Sequence, residues 1–147
     1  MAEWFNKKAK FNYTILEDHS CGIVLQSAEA KSIFEGRFAF NDCYCYFKND
    51  ELYMKHFHIS TPIHFQKGQE DTWEPLRERK LLMKKYELKR LKDKMLKGLT
   101  VVPIQIYIKE KKFIKIKIAL VKGKKSWDKR ETIKKREDER NIKINIS

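Results

Sequence analysis

At 147 residues, with 41% hydrophobic and 36% charged residues, the chain can build one domain with a single modest core and a densely charged surface, plus a short appendage. Its net charge of +13 is concentrated late, with 18 Lys+Arg against 14 Asp+Glu in residues 1–108 and 15 against 6 in 109–147, a placement that fits a polyanionic partner, nucleic acid before membrane. No run approaches the ~18 apolar residues of a spanning helix, no signal-peptide apolar region is present, and an odd three cysteines (Cys21, Cys43, Cys45) argue against a disulfide framework, so a cytoplasmic, reducing compartment is expected.

Residues 6–10 form a basic entry segment. Phe11 to Glu17 and Gly22 to Gln26 then read as two strands around an Asp18-His19-Ser20-Cys21 turn. Ser27 is placed to cap a short helix over 28–35, in which Ala30, Ile33 and Phe34 make an apolar stripe, and Gly36 ends it. Tyr44 to Phe47 and Leu52 to Ile59 flank Asn49-Asp50, a dipeptide suited to a hairpin turn. Centred there, the pairing aligns Cys45 with Met54 and Cys43 with His56. Cys43, Cys45, Phe47, Leu52, Met54, His56 and His58 then share one face, and Tyr44, Tyr46, Tyr53 and Phe57 the other. Residues 61–72 read as a loop. From Leu76 to Gly98 the spacing predicts helix, either one or two broken near Lys85. A second hairpin follows, in which Ile104, Ile106 and Ile108 alternate with Gln105 and Tyr107, and Ile114, Ile116, Ile118 and Leu120 alternate with Lys115, Lys117 and Ala119.

This order implies a mainly β domain over 1–122. The expected fold is a small antiparallel barrel of oligonucleotide-binding type, with one long and one short helix. A two-layer α+β sandwich is the alternative. Residues 123–147 are expected to form a basic tail, disordered when free. Asp128 and Glu131 have the spacing of a helix start, but Ile133 is the only apolar residue of 128–140, so nothing there can dock on a core. Pairs such as Glu131–Lys135 add only about 0.2–0.5 kcal/mol each, too little to hold a short helix in water. Helix formation there therefore requires a polyanionic partner.

Cys43, Cys45, His56 and His58 are four potential zinc ligands on one expected face. Alternate strand residues lie roughly 6.6 Å apart, whereas zinc needs all its donors within roughly 2.0–2.3 Å of one point. Phe47, Leu52 and Met54 on the same face make it read as core, and no metal or other cofactor is expected. No Gly-flanked serine, phosphate-binding glycine run or HExxH pattern occurs, so nothing motivates an enzyme. Aromatic residues on barrel faces can stack bases, and lysines on neighbouring strands can track phosphates. Three readings therefore stand: a specific RNA-binding factor, a general or ribosomal RNA-binding barrel whose tail only adds charge, and, least supported, a metal-dependent enzyme.

The residues also carry a resemblance. Gly123-Lys124-Lys125, followed by Asp128-Lys129-Arg130 and a Lys- and Arg-rich run to Arg140, is similar to the signature of the SsrA-binding protein (small protein B, SmpB) family of bacterial trans-translation. EPLRERKLL at 74–82, NKKA at 6–9, GIVLQ at 22–26, the Glu29…Lys31-Ser32 element and HIS at 58–60 occur in the family's order, so the resemblance spans about Asn6 to Arg140. Ser27 stands where the family usually has Gly, Phe34 where it has a basic residue, and Glu74 where it has Asp. The resemblance implies a non-enzymatic, monomeric RNA-binding factor, active in translation quality control in the cytoplasm. It would bind the tRNA-like domain of transfer-messenger RNA (tmRNA) and reach stalled ribosomes with elongation factor Tu, the tail entering the empty mRNA channel by the decoding centre. It further implies an RNA-binding role for Asn6, Lys7, Lys8, Gln26, Glu29, Lys31, Ser32, Arg77, Arg79 and Lys80. Gly123, Lys124, Lys125, Asp128, Lys129 and Arg130 would face the ribosome.

Overall fold

The computed structural model describes residues 2–65 and 73–123. In chain order these form β1 (Glu3–Phe5), α1 (Lys7–Asn12), β2 (Tyr13–Ile23), α2 (Ser27–Phe34), β3 (Phe38–Ala39), β4 (Tyr44–Lys48), β5 (Glu51–Lys55), β6 (His58–Ile59), β7 (Arg79–Leu82), α3 (Lys85–Met95), β8 (Thr100–Lys109) and β9 (Phe113–Gly123). The main sheet runs β1-β8-β4-β5-β7-β2-β9, and β8 also pairs with β9. That last pairing closes β8, β4, β5, β7, β2 and β9 into an antiparallel barrel, leaving β3 and β6 as a separate two-stranded ladder. One edge of β8 is divided, with Val101 taken by β4 and Gln105 to Tyr107 by β1.

The interior follows from alternation. Cys45, Leu52, Met54, Ile106, Ile116 and Ile118 point inward with Leu120, and Ile33 of α2 and Leu91 of α3 pack onto the same core. Register shifts between Ile15 and Glu17 on β2, and between Pro103 and Gln105 on β8, bend the two longest ladders so that the sheet can close. A smaller cluster lies outside the barrel, where Ala9 of α1 covers Val102, Ile104, Ala119 and Val121.

Both expected hairpins are present. Asn49 and Asp50 each adopt positive φ (53° and 64°), as a two-residue turn of the twisted type requires, and Cys45 faces Met54. Four other expectations are corrected. Residues 13–23 form one strand rather than two strands around a turn, because Asp18 and Ser20 are the solvent-facing half of an alternating ladder held along β9. Phe11 falls in α1, a helix the sequence did not announce. The helix expected from Leu76 begins only at Lys85. Arg79 to Leu82 instead form a strand clasped between β5 and β2, with Arg79 and Leu81 inward and Lys80 and Leu82 outward. The fold thus has helices of 6, 8 and 11 residues rather than one long and one short. Finally, His56 has φ 68°, which switches the faces after β5. Phe57 becomes fully buried, while His56 packs edge-on against Tyr44 at 5.5 Å instead of facing Cys43.

Candidate nucleic-acid interface

The start of α2 is held by a carboxylate that faces into the protein. The backbone N–H of Gln26 donates to Glu29 Oε1 at 2.9 Å, as an N-terminal helix turn favours. The Glu29 side chain is only 2% exposed, and the approach to β7 brings two guanidiniums to it. Arg79 donates through Nε and Nη2 to Glu29 Oε2 (3.1 and 2.7 Å), Arg77 donates through Nε to the same oxygen (3.2 Å), and Arg77 Nη2 donates to Oε1. Arg79 is wholly buried, and its Nη1 also donates to the carbonyls of Phe57 (2.7 Å) and Pro75 (3.1 Å). Burial opposes ionisation of Glu29, but the bonds from Arg77, the Gln26 N–H and Arg79 outweigh it and hold the carboxyl below its usual range. Burial also lowers the Arg79 pKa, and the facing Glu29 limits the fall. With one carboxylate between two guanidiniums, the cluster keeps an uncompensated positive charge. That excess comes outward through Arg77, which is partly exposed.

Ser32, also buried, donates from Oγ to the Ser60 carbonyl at 2.6 Å, and Arg37 Nε donates to the Thr61 carbonyl at 2.7 Å. These bonds fasten α2 to the 60–61 segment. Gln26 and Lys31 remain exposed on its outer side.

Asn6 plays the corresponding part for α1. Its Oδ1 accepts from the Ala9 N–H (3.2 Å), its Nδ2 donates to the Pro103 carbonyl (2.9 Å), and its backbone N–H donates to Ile104 (2.9 Å). The helix start is thereby fixed on β8 with Lys7 and Lys8 exposed, and Lys8 reaches Asp42 at 2.5 Å. Trp4 links the two regions, packing edge-on to Phe38 at 5.1 Å and lying over Gly36, where an added Cβ would stand 3.6 Å from its ring.

Of the residues assigned by resemblance to RNA binding, the structure therefore divides two kinds. Asn6, Glu29, Ser32 and Arg79 are buried and bonded within the protein, while Lys7, Lys8, Gln26 and Lys31 are presented to solvent with Arg77 at their margin. Lys80 is apart from both, on the outside of β7, paired with Glu51 at 2.8 Å. Gly123, the last residue of β9, faces Tyr13 across the ladder. Lys124, Lys125, Asp128, Lys129 and Arg130, and with them the expected tail, lie outside the described residues. Among the described residues no group of His, Cys, Asp and Glu is arranged to hold a metal ion, and no helix is long and apolar enough to cross a membrane.

Comparison with known proteins gives the same direction throughout. The family model described as SmpB protein matches residues 4–147. An SsrA-binding protein of Treponema denticola is 46% identical over 95% of this chain and 91% of its own length, and one of Cytophaga hutchinsonii is 43% identical over 93% and 88%. A solved structure described as "tmRNA-SmpB: a journey to the center of the bacterial ribosome" superposes with a TM-score of 0.70 at 37% identity, covering 94% of this chain and 95% of that one.

Proposed function

The chain belongs to the SmpB protein family, and from that premise we propose that it is an RNA-binding factor, not an enzyme, that binds tmRNA and acts with it at the ribosome in trans-translation. The observation that carries this reading is the match over nearly the whole chain to proteins named for SsrA binding, together with the likeness to a structure described with tmRNA and the bacterial ribosome. The chain's own chemistry supports it. Buried Glu29 gathers Arg77 and Arg79 and sets the start of α2, so that Gln26, Lys31 and Arg77 stand at one rigid edge; Asn6 sets Lys7 and Lys8 on α1.

In this proposal the exposed residues touch the tRNA-like domain of the RNA, and Asn6, Glu29, Ser32 and Arg79 are positioning residues. Gly123, Lys124, Lys125, Asp128, Lys129 and Arg130 serve the ribosome-facing step, with the tail in the vacant mRNA channel by the decoding centre. Elongation factor Tu joins through the RNA, and the protein works as a cytoplasmic monomer. Truncation after Lys125 separates the two halves of the mechanism. Affinity for tmRNA is expected to stay near that of the full chain while peptide tagging on stalled ribosomes is lost. Equal loss of both defeats the division between barrel and tail.

A further inference from the structure

The outer surface of β8 and β9 changes character along its length. At one end Val102, Ile104, Ala119 and Val121 are apolar and lie beneath α1. Beyond the register shift at Pro103/Gln105 the same surface carries Gln105 and Tyr107 on β8 and Lys117 and Lys115 on β9, and none of these side chains is buried. Strand register joins them into two rows. Lys115 stands between Gly22 of β2 and Tyr107, which faces Glu3 of β1; Lys117 stands between Ser20 of β2 and Gln105, which faces Phe5. Adjacent strands are about 4.8 Å apart and alternate residues about 6.6 Å, so the two ammonium groups are spaced much like successive phosphates of one RNA strand.

Charge pairing sets these lysines apart. Lys48, Lys80, Lys92, Lys94, Arg77 and Arg79 are each ion-paired with a carboxylate. Among the described residues, Lys115 and Lys117 have no such partner, nor do Lys109, Lys111 and Lys112 at the hairpin end. The polar neighbours are occupied with each other, Gln105 Nε2 donating to Glu3 (2.6 Å) and Tyr107 Oη to Ser20 Oγ (2.9 Å). Lysine also occupies the turn itself, where Glu110 and Lys111 adopt φ 53° and 58°. Gly or Asn would relieve that left-handed strain, so the turn retains its charge at a conformational cost. At the opposite margin Lys10 of α1 lies 4.5 Å from the Phe5 ring centroid, which makes the surface continuous with the α1 lysines.

We infer that this open face of β1, β8, β9 and β2 is a second contact surface for the ribose-phosphate backbone of tmRNA, centred on Lys115 and Lys117, with Tyr107 as a flat support for a sugar or base. The inference rests on the reading proposed above. The same RNA molecule is assigned to it because the surface runs on from α1, whereas β9 delivers Gly123 at its other end, about 33 Å from Phe113 at 3.3 Å per residue.

The test is the full-length Lys115→Gln/Lys117→Gln variant, titrated with tmRNA over a range of salt concentrations, beside the parent and a Lys85→Gln/Lys89→Gln control on α3 with the same loss of charge. Loss of two phosphate contacts should lower the log–log salt slope by about two and weaken binding about tenfold or more at physiological salt. The control should leave the slope near that of the parent. A slope and affinity unchanged in the β9 variant overturn the inference, as does an equal fall in the control, which would reduce the effect to net charge. Unchanged RNA binding with weaker association to ribosomes also overturns it and moves the surface to the ribosome. A parent protein with no preference for tmRNA over an unstructured RNA of equal length overturns the underlying reading instead.

Discussion

Replacing Glu29 by Gln keeps the size of the side chain and an acceptor for the Gln26 N–H but removes the only carboxylate facing Arg79 and Arg77. Arg79 stays fully buried, still bonded to the Phe57 and Pro75 carbonyls, now beside a neutral amide and a second guanidinium. Removing one partner of a buried ion pair costs about 3–5 kcal/mol. The two surviving carbonyl bonds and the partial exposure of Arg77 place the expected loss at the lower end, about 3 kcal/mol. That is a large part of the about 5–15 kcal/mol that holds a typical domain, yet it leaves a folded protein to assay. Urea denaturation at neutral pH measures the loss. A cycle with Arg79→Met and the Glu29→Met/Arg79→Met double variant should show coupling of about 2 kcal/mol, because two apolar side chains remove both the unpaired charge and its partner. If Glu29 acts by positioning, RNA affinity follows stability through this cycle and recovers in part in the double variant. A Glu29→Gln protein as stable as the parent that no longer binds RNA would refute the reasoning and make the carboxylate a direct contact.

Other outcomes follow from the same geometry. Asn6→Ala removes the cap of α1 and its bond to Pro103, and should cost about 1–2 kcal/mol in urea denaturation while weakening RNA binding more than Lys8→Ala does. The carboxyl of Glu29 (held down against burial by Arg77, the Gln26 N–H and Arg79), of Glu17 (by Lys94 and His19) and of Asp50 (by Lys92) lie below their ordinary values. The native state therefore binds fewer protons than the unfolded chain in acid. Their stabilisation is complete above about pH 5 and is lost as pH falls through the folded-state values, so the melting temperature should drop below about pH 4.5; a flat profile down to about pH 3 contradicts this. Burial raises the Cys21 thiol to about 12 and raises Cys43 and Cys45 further above the ordinary cysteine value, so a thiol-specific reagent should label none of the three until denaturant is added.

The two hairpins were legible because each depends on a local rule, alternation on either side of a turn that tolerates positive φ. Strand β7 was not, since its first inward position is Arg79. A charge in a core position reads as surface until its partner is known, and Glu29 is fifty residues away. The polar outer side of β2 read as a turn for a similar reason, because only the long partner β9 shows that Asp18 and Ser20 belong to one ladder. The single left-handed residue His56 then reversed which of its neighbours entered the core, an effect no periodicity count includes. At the site, resemblance located the residues but could not separate Lys31, which faces solvent, from Ser32, which is buried and bonded to Ser60. The lysines of β9 were visible as an alternating set. Their lack of ion partners could emerge only once the carboxylates had been placed.

The account stands most directly on the RNA itself. Full-length protein purified from its source cells should carry one dominant RNA, identified by sequencing as tmRNA. Recovery of ribosomal or mixed messenger RNA in its place, with tmRNA no more abundant than in the whole-cell pool, would contradict the account.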